Sequence, residues 1–246
     1  MKNTAIEQEA KTAVLKENLD RIEAQIAEAC RVAGRPRNEV ALMAVSKMHP
    51  ASAIVAVEGL GVRLFGENRV QEFQEKSALL SHSQGAEFHL IGHLQSNKAA
   101  RAAELFASVD TLDSVSLAER LDQAARRLGR RLRVLIEIKL SPEETKAGLD
   151  PESEELGRLL ERLPDLDGLE MRGLMMVPPF LEDLAAVRPY FRELRVLRDR
   201  LAAARPRLSF AELSMGMSHD FPVAIGEGAT QIRIGTALFG ARVYAR

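Results

Sequence analysis

The chain has 246 residues, 46% hydrophobic and 28% charged, and its 34 basic and 35 acidic side chains leave a formal net charge of −1. This composition is typical of a globular protein. Without a basic stripe carrying interleaved aromatic residues, we expect no nucleic-acid partner. The single cysteine, Cys30, excludes an internal disulfide and a cysteine-based zinc site. The sequence has no apolar signal-peptide core and no run near the ~20 apolar residues of a membrane span, so we expect a cytoplasmic protein.

In chain order, the pattern begins with an amphipathic helix over residues 5–33, which ends at Gly34 and Pro36. Eight short apolar runs then alternate with longer amphipathic segments. The strand candidates are 40–46, 62–66, 87–92, 107–111, 132–138, 168–174, 210–214 and 231–235. The helix candidates are 50–60, 69–80, 97–106, 115–129, 152–163, 183–204 and 220–227, with a last short helix starting near Thr236.

Eight successive βα units predict an α/β protein with a single closed (β/α)8 TIM barrel and an extra N-terminal helix. An open doubly wound sheet is the alternative, but no G-x-G-x-x-G follows the first strand. No Pro/Gly/Ser-rich linker divides the chain, so residues 1–246 are expected to form one domain. The longest polar interruption, KLSPEETKAGLDP at 139–151, is interpreted as a mobile βα loop.

Polar residues collect at the predicted carboxyl ends of the strands, where barrels of this type build their sites. The first strand leads into LMAVSKMHP at 42–50, an apolar run followed by Lys47. Such a lysine either reaches solvent or is held at the barrel rim for chemistry. Other polar residues at these ends are Glu67, Asn68, His89, His93, Asp110, Asp113, Glu137 and Lys139.

The ends of the last two strands predict a phosphate site, a common feature of such barrels. Strand seven is followed by SMGMS, with Ser214 and Gly216, and strand eight by Gly235-Thr236 at the start of a helix. Arg233 supplies a cation at the same end. These glycines could instead serve only tight turns. In a closed barrel strand eight lies beside strand one, so Lys47 would face the phosphate, and pyridoxal 5′-phosphate is the cofactor that combines a carbonyl group with a phosphate.

Seven segments, in order, resemble the YggS/PROSC-type pyridoxal phosphate homeostasis proteins. They are AVSKMHP, FGENRVQE, FHLIGHLQSNK, SVDTLDS, GLMMVPP, LSMGMSHDFPVAIGEGAT and IRIGTALFGAR. The resemblance runs from about residue 10 to 244. It implies a monomeric barrel similar to the N-terminal domain of alanine racemase, with the cofactor held on Lys47 as an internal aldimine.

The resemblance also assigns site residues. Ser214, Arg233, Gly235 and Thr236 match the family's phosphate motif, Asn68 and Met175 match pocket positions, and His89 lies in the third-strand motif. Lys146, in the stretch 141–148, is the candidate second lysine. Met48, Arg69 and Ala229 stand where the family usually has threonine, tyrosine and serine, which affects the polarity of the pocket.

Three functions are compatible with these residues. The first is a protein that stores, buffers or delivers pyridoxal 5′-phosphate, with transient contact to apo-enzymes. The second is a racemase-like enzyme using the same lysine, and the third is an aldolase-type barrel acting on a phosphorylated sugar. Related racemases need a tyrosine from a further β domain, and the two tyrosines here are Tyr190, in a predicted helix, and Tyr244, near the C-terminus. We therefore favour the first function. His89 and His93 are interpreted as core or supporting residues rather than metal ligands.

Overall fold

The computed structural model describes residues 2–80, 85–141 and 147–240. A long helix, α1 (Lys2–Val32), precedes eight strands. The strands are β1 (Ala41–Val45), β2 (Leu64–Glu67), β3 (Glu87–Leu90), β4 (Ser108–Leu112), β5 (Leu132–Glu137), β6 (Leu169–Met175), β7 (Glu212–Met217) and β8 (Gln231–Ile234). The helices that follow them in turn are α2 (Ala51–Gly59), α3 (Val70–Ser77), α4 (Ala99–Leu105), α5 (Val115–Arg127), α6 (Glu154–Arg162), α7 (Leu184–Ala204), α8 (Phe221–Gly226) and α9 (Thr236–Phe239).

The strands form a closed parallel barrel. They pair in chain order, and β8 pairs with β1 with Met43 opposite Arg233. Each strand is followed by a helix, so the predicted (β/α)8 barrel with an N-terminal helix is confirmed. Most observed boundaries differ from the predicted ones by one to three residues, as expected because the ends of helices and strands fray.

Side-chain alternation along each strand decides what enters the barrel. On β2, Phe65 faces the helices and joins an aromatic cluster in which Phe73 of α3 lies 4.5 Å from Phe88, between ring centroids. The next residue, Gly66, faces the interior, where an added Cβ would lie 2.7 Å from the Sδ of Met43. Asn68, two residues further on, is on the interior side of the same alternation.

The helix α1 packs against the helices α8 and α9 on the outside of the barrel. Its apolar stripe includes Ile22 and Ile26, both fully buried. The Asn18 side chain donates to the carbonyl of Leu238 at 2.9 Å, which caps the end of α9. The N-terminal helix therefore holds α9 in place, the short helix whose start belongs to the predicted phosphate site.

Backbone hydrogen bonds join the two ends of the polar loop predicted at 139–151. The backbone N–H of Leu149 donates to the carbonyl of Glu137 at 2.8 Å, and the N–H of Lys139 donates to the carbonyl of Leu149 at 2.9 Å. The candidate second lysine, Lys146, lies outside the described residues.

No helix in the described part of the chain has the length and apolar character needed to cross a membrane.

Candidate functional site

The barrel brings most of the predicted site residues to one rim. Met175 is the last residue of β6 and pairs with Ser214 of β7, and β8 with Arg233 lies between β7 and β1. A Cβ on Gly235 would lie 3.6 Å from the Cβ of Val45, the last residue of β1. Lys47 follows two residues later. The turn after β8 and the lysine after β1 are therefore neighbours, as the closed barrel predicts.

Arg233 is buried inside the barrel and ties three strands together. Its Nη1 donates to the carbonyl and the hydroxyl of Ser214 at 2.7 and 2.8 Å, and its Nη2 donates to the carbonyl of Met176 at 2.6 Å. Burial acts to lower the pKa of Arg233, while the nearby carboxylates of Asp110 and Glu137 oppose that effect. The guanidinium thus supplies positive charge below the rim and orients Ser214.

The hydroxyl of Ser214 is an oriented donor. It accepts hydrogen bonds from Nη1 of Arg233 at 2.8 Å and from Nε2 of Gln231 at 2.9 Å. A serine hydroxyl has two acceptor positions and one proton. With both acceptor positions filled, the proton is left to donate, which suits an anionic oxygen.

The network continues from Gln231 to the opposite side of the barrel interior. The same Nε2 of Gln231 lies 3.2 Å from Oδ2 of Asp110, and that oxygen lies 3.1 Å from Nδ1 of His89. Ser108 donates to the other oxygen of Asp110 at 2.6 Å. His89 is therefore a buried supporting residue, as the sequence suggested. No group of three or more histidine, cysteine or acidic side chains suited to a metal ion occurs among the described residues.

The end of β7 and the turns after β7 and β8 are packed close together. Gly216 has φ of +94°, and a Cβ there would lie 2.7 Å from the Cβ of Ala224 in α8. Ser218 accepts from the N–H of Ala237 at 3.3 Å, which links the β7 turn to the start of α9. Gly235 is half-buried and Thr236 is exposed. These contacts place small residues and a hydroxyl around one opening.

Asn68 brings an unsatisfied polar atom to the rim. Its Oδ1 is buried without a hydrogen-bond partner in the described structure. Gly92 packs on the backbone of Asn68 so closely that a Cβ there would lie 2.3 Å from its carbonyl oxygen. A buried amide oxygen without a partner is uncommon in a folded protein and indicates a position that a bound group could complete.

Glu137, at the end of β5, is a second side chain with an unsatisfied atom. The side chain is buried, and its Oε2 has no partner among the described residues. Burial raises the pKa of Glu137 to about 7, against the opposing effect of the Arg233 charge. The nearby Asp113 accepts from or donates to Nδ1 of His93 at 3.1 Å, and burial raises its pKa as well. The N-cap of α5 is the neighbouring Ser114, whose hydroxyl accepts from the N–H of Leu117.

The turn that carries Lys47 is held from both sides. Ser46 donates its hydroxyl proton to Oε1 of Glu67 at 2.7 Å, and the N–H of Met48 donates to Oε1 of Glu72 at 2.6 Å. Met48 has φ of +63°, the one positive value for a non-glycine residue in the described part of the chain. Lys47 itself is half-buried between these two fixed neighbours.

Comparison with known proteins agrees with this geometry. Residues 18–243 match the family model described as the alanine racemase N-terminal domain. The chain is 43% identical over 228 residues to the pyridoxal phosphate homeostasis protein of Aquifex aeolicus, covering 93% of this chain and 98% of that protein. This chain belongs to the pyridoxal phosphate homeostasis protein family.

Solved structures extend the comparison. PipY of Synechococcus elongatus, determined with PLP bound, is 42% identical with a TM-score of 0.82, over 92% of this chain and 100% of that one. An alanine racemase of Clostridium difficile has a TM-score of 0.70 at 16% identity and is covered over 58% of its length. The second likeness is one of fold alone.

For this member of the homeostasis protein family, sequence reasoning missed two parts of the site. The sequence pattern was not used to predict a role for Gln231. It is the first residue of β8, and its side chain lies on the same inner face as that of Arg233. Lys76 lies in a predicted amphipathic helix among charged residues, where a lysine is expected to be exposed. In the structure it is buried against Glu67. A signal was available for Gln231, because its two-residue spacing from Arg233 predicts a shared face.

Proposed function

We propose that this chain binds pyridoxal 5′-phosphate through Lys47 and holds it for homeostasis of the cofactor, that is for storage, buffering or delivery. The observation that carries the proposal is the position of Lys47, two residues after the end of β1 and beside the turn from β8 to α9. Relatives are named pyridoxal phosphate homeostasis proteins, and PipY has been determined with PLP bound. The cofactor supplies an aldehyde, which condenses with a primary amine with loss of water, and a phosphate.

The residues at the rim fit a group of this chemistry. The Ser214 hydroxyl has its proton left to donate to a phosphate oxygen, and Gly235 and Thr236 provide backbone and hydroxyl donors at the start of α9. Gly216 lets the end of β7 pack closely against α8, where an added Cβ would lie 2.7 Å from that of Ala224. On the other side of the opening, Asn68 offers a buried amide oxygen without a partner and Met175 a buried apolar wall.

Arg233 contributes charge and order from beneath the site. Its Nη1 and Nη2 hold Ser214 and the backbone of β6 and β7 in place. Since a buried guanidinium attracts anions in the same low-dielectric surroundings, its charge favours the bound phosphate over free solution. We infer that Arg233 binds the cofactor through this electrostatic and positioning effect.

Carriage of the cofactor suits this site better than turnover on amino acids. Racemisation requires an acid and a base on opposite faces of the reacting carbon. Lys47 can serve one face. Tyr190 lies in α7, in the outer layer of helices, and Tyr244 lies outside the described residues. We infer that the protein works as a monomer that meets apo-enzymes transiently.

The test is to add pyridoxal 5′-phosphate to the protein, reduce the linkage with borohydride and map the modified peptide by mass spectrometry. The pyridoxyl mass is expected on Lys47, and Lys47→Ala should lose both the label and the visible absorbance band. Lys139→Ala, at another strand end of the same rim, is the matched control and should keep both. Labelling mainly on Lys139 or Lys146 would contradict the assignment.

Two further measurements separate carriage from catalysis. Incubation of the loaded protein with L-amino acids in deuterated water should give no enzyme-like exchange at Cα. Reactivation of an apo-enzyme by the loaded protein supports delivery, and lack of it in every case leaves storage or buffering. Light scattering should give the mass of one chain.

A further inference from the structure

The turn that carries Lys47 rests on a buried ion cluster formed by Glu67, Glu72 and Lys76. Nζ of Lys76 donates to both oxygens of Glu67, at 2.9 and 3.2 Å, and lies 2.6 Å from Oε1 of Glu72. The Glu67 side chain is 0% exposed and that of Lys76 11%. Two acids share one lysine, and because Glu67 and Lys76 are shielded from water, the arrangement holds only if its hydrogen bonds are made.

The side chains of this cluster bond to the residues on both sides of Lys47. Nζ of Lys76 donates to the carbonyl of Ser46 at 2.9 Å, and Glu67 accepts the hydroxyl proton of Ser46 at 2.7 Å. On the other side, Oε1 of Glu72 accepts from the N–H of Met48 at 2.6 Å. The lysine is therefore anchored one residue before and one residue after its own position.

The backbone at Met48 shows why such anchoring is needed. A φ of +63° is a left-handed conformation that residues with a Cβ seldom adopt. The hydrogen bond from Met48 N–H to Glu72 is a contact that selects this conformation. Loss of Glu72 would let the turn relax toward ordinary backbone angles and would redirect the side chain of Lys47.

The charges inside the cluster favour the ionised form of Glu72, which accepts the hydrogen bond from Met48. Burial acts to raise the pKa of Glu72, but hydrogen bonds from Lys76 and Met48 outweigh it, so the pKa is lowered. Burial raises the pKa of Glu67, and Lys76 and Ser46 work against that shift. Glu72 is thus kept as the carboxylate that accepts from Met48.

We propose that Glu67, Glu72 and Lys76 are positioning residues for Lys47: they fix the turn from Ser46 to Met48 so that the Lys47 amine points into the barrel opening. The proposal rests on the proposed function, because it takes Lys47 as the residue that carries the cofactor. None of the three side chains needs to touch the cofactor. They act through the backbone on either side of the lysine.

The test compares Glu72→Ala, Glu72→Gln and Glu155→Ala. Glu72 is the cluster member to change because its side chain is 23% exposed, so the fold should tolerate the substitution. Glutamine keeps the oxygen that accepts from Met48. Glu155 is the matched control, since its Oε1 accepts from the N–H of Val115 at 2.9 Å, its Oε2 pairs with Arg158, and its side chain is 31% exposed.

Two readouts use the protein without cofactor. Amide hydrogen exchange of the peptide around residues 46–50 reports the turn, and trace labelling with acetic anhydride reports the reactivity of the Lys47 amine. Glu72→Ala should speed exchange about tenfold, the change that corresponds to about 1.4 kcal/mol, and should alter Lys47 labelling. Glu72→Gln should restore both toward the wild-type values, and Glu155→Ala should leave both unchanged.

The third readout is titration with pyridoxal 5′-phosphate, followed by borohydride and peptide mapping. Glu72→Ala should weaken apparent affinity about tenfold, with rescue by Glu72→Gln. If exchange, labelling and affinity in Glu72→Ala match the wild type, the positioning role is overturned. If the wild type takes no cofactor on Lys47, the proposed function fails, while exchange and labelling still show whether the cluster positions the lysine.

Discussion

Nδ1 of His89 lies 3.1 Å from Oδ2 of Asp110, and both side chains are buried inside the barrel beneath the proposed site. The other ring nitrogen is 3.9 Å from Glu87, too far for a hydrogen bond. Burial acts to lower the pKa of His89, but the charge and hydrogen bond of Asp110 outweigh it and raise the pKa to about 9. The same contact lowers the pKa of Asp110, against its burial.

This pair predicts a stability that falls in alkaline solution. Because the folded-state pKa of His89 lies above its unfolded value, its contribution is complete below about pH 6.5 and is lost as pH rises through about 9. Two to three pH units correspond to about 3 kcal/mol. The difference in unfolding free energy between wild type and His89→Gln, measured in urea from pH 6 to 10, should shrink over this interval.

His93→Gln is the matched control, because His93 also lies 3.1 Å from a carboxylate but its side chain is 59% exposed. Exposed pairs contribute about 0–1 kcal/mol, so this variant should change little at any pH. A constant difference between wild type and His89→Gln across the range would contradict the prediction.

Glu137 predicts a second loss of stability with rising pH, in a lower pH window than that of His89. Burial raises its pKa to about 7, above the value of an unfolded carboxyl group, so the folded protein holds an extra proton between about pH 4.5 and 7. Stability should therefore fall as pH rises through this window. Glu137→Gln should be equal to wild type near pH 4.5 and more stable by up to about 3 kcal/mol at pH 8. Urea unfolding at the two pH values measures this, and the exposed Glu75→Gln should show no such gain.

Ser214 is predicted to recognise the phosphate and not the pyridine ring. Removing one hydroxyl donor from a charged oxygen should weaken binding of pyridoxal 5′-phosphate about tenfold. For pyridoxal, which lacks the phosphate, the dissociation constants of Ser214→Ala and the wild type should agree within about twofold. Titrations followed by absorbance give both constants. An equal loss for the two ligands would assign Ser214 a structural role only.

Gly216 is predicted to be intolerant of any side chain. With φ of +94° and a position for Cβ 2.7 Å from that of Ala224, Gly216→Ala meets both backbone strain and overlap. Overpacking typically costs about 1–3 kcal/mol beyond the strain. Gly61→Ala is the matched control, because Gly61 has φ of +100° but nothing within 4 Å of an added Cβ. Thermal unfolding should show a larger loss for Gly216→Ala, and equal losses would contradict the predicted overlap.

The candidate site was predictable wherever a residue's role depends on its place along a strand. Lys47 follows the first apolar run, and Gly235 and Thr236 follow the last, so chain order in a closed barrel makes them neighbours. The hydrogen bonds of Arg233 could not be predicted. Its partners include the backbone carbonyl of Met176, 57 residues away, and any buried guanidinium can meet several such acceptors.

The cluster of Glu67, Glu72 and Lys76 shows the same limit. In sequence, Lys76 lies in an amphipathic helix among charged residues, where a lysine usually points into water. Alternation on β2 turns Glu67 away from the barrel interior and toward α3, and that orientation depends on the register of the strand and the packing of the helix. Only the folded chain brings these side chains to the two residues beside Lys47.

The sequence by itself determined the number and order of the βα units. Hydrophobic periodicity is local, so the pattern of each strand or helix can be recognised within about a dozen residues. The sequence also determined that the lysine after β1 lies near the turn after β8, because closure of the barrel makes the first and last strands neighbours. The tertiary structure alone decided which polar groups are buried, which oxygens lack a partner, and how the backbone turns at Met48. Those properties depend on distances and dielectric surroundings set jointly by residues far apart in the chain.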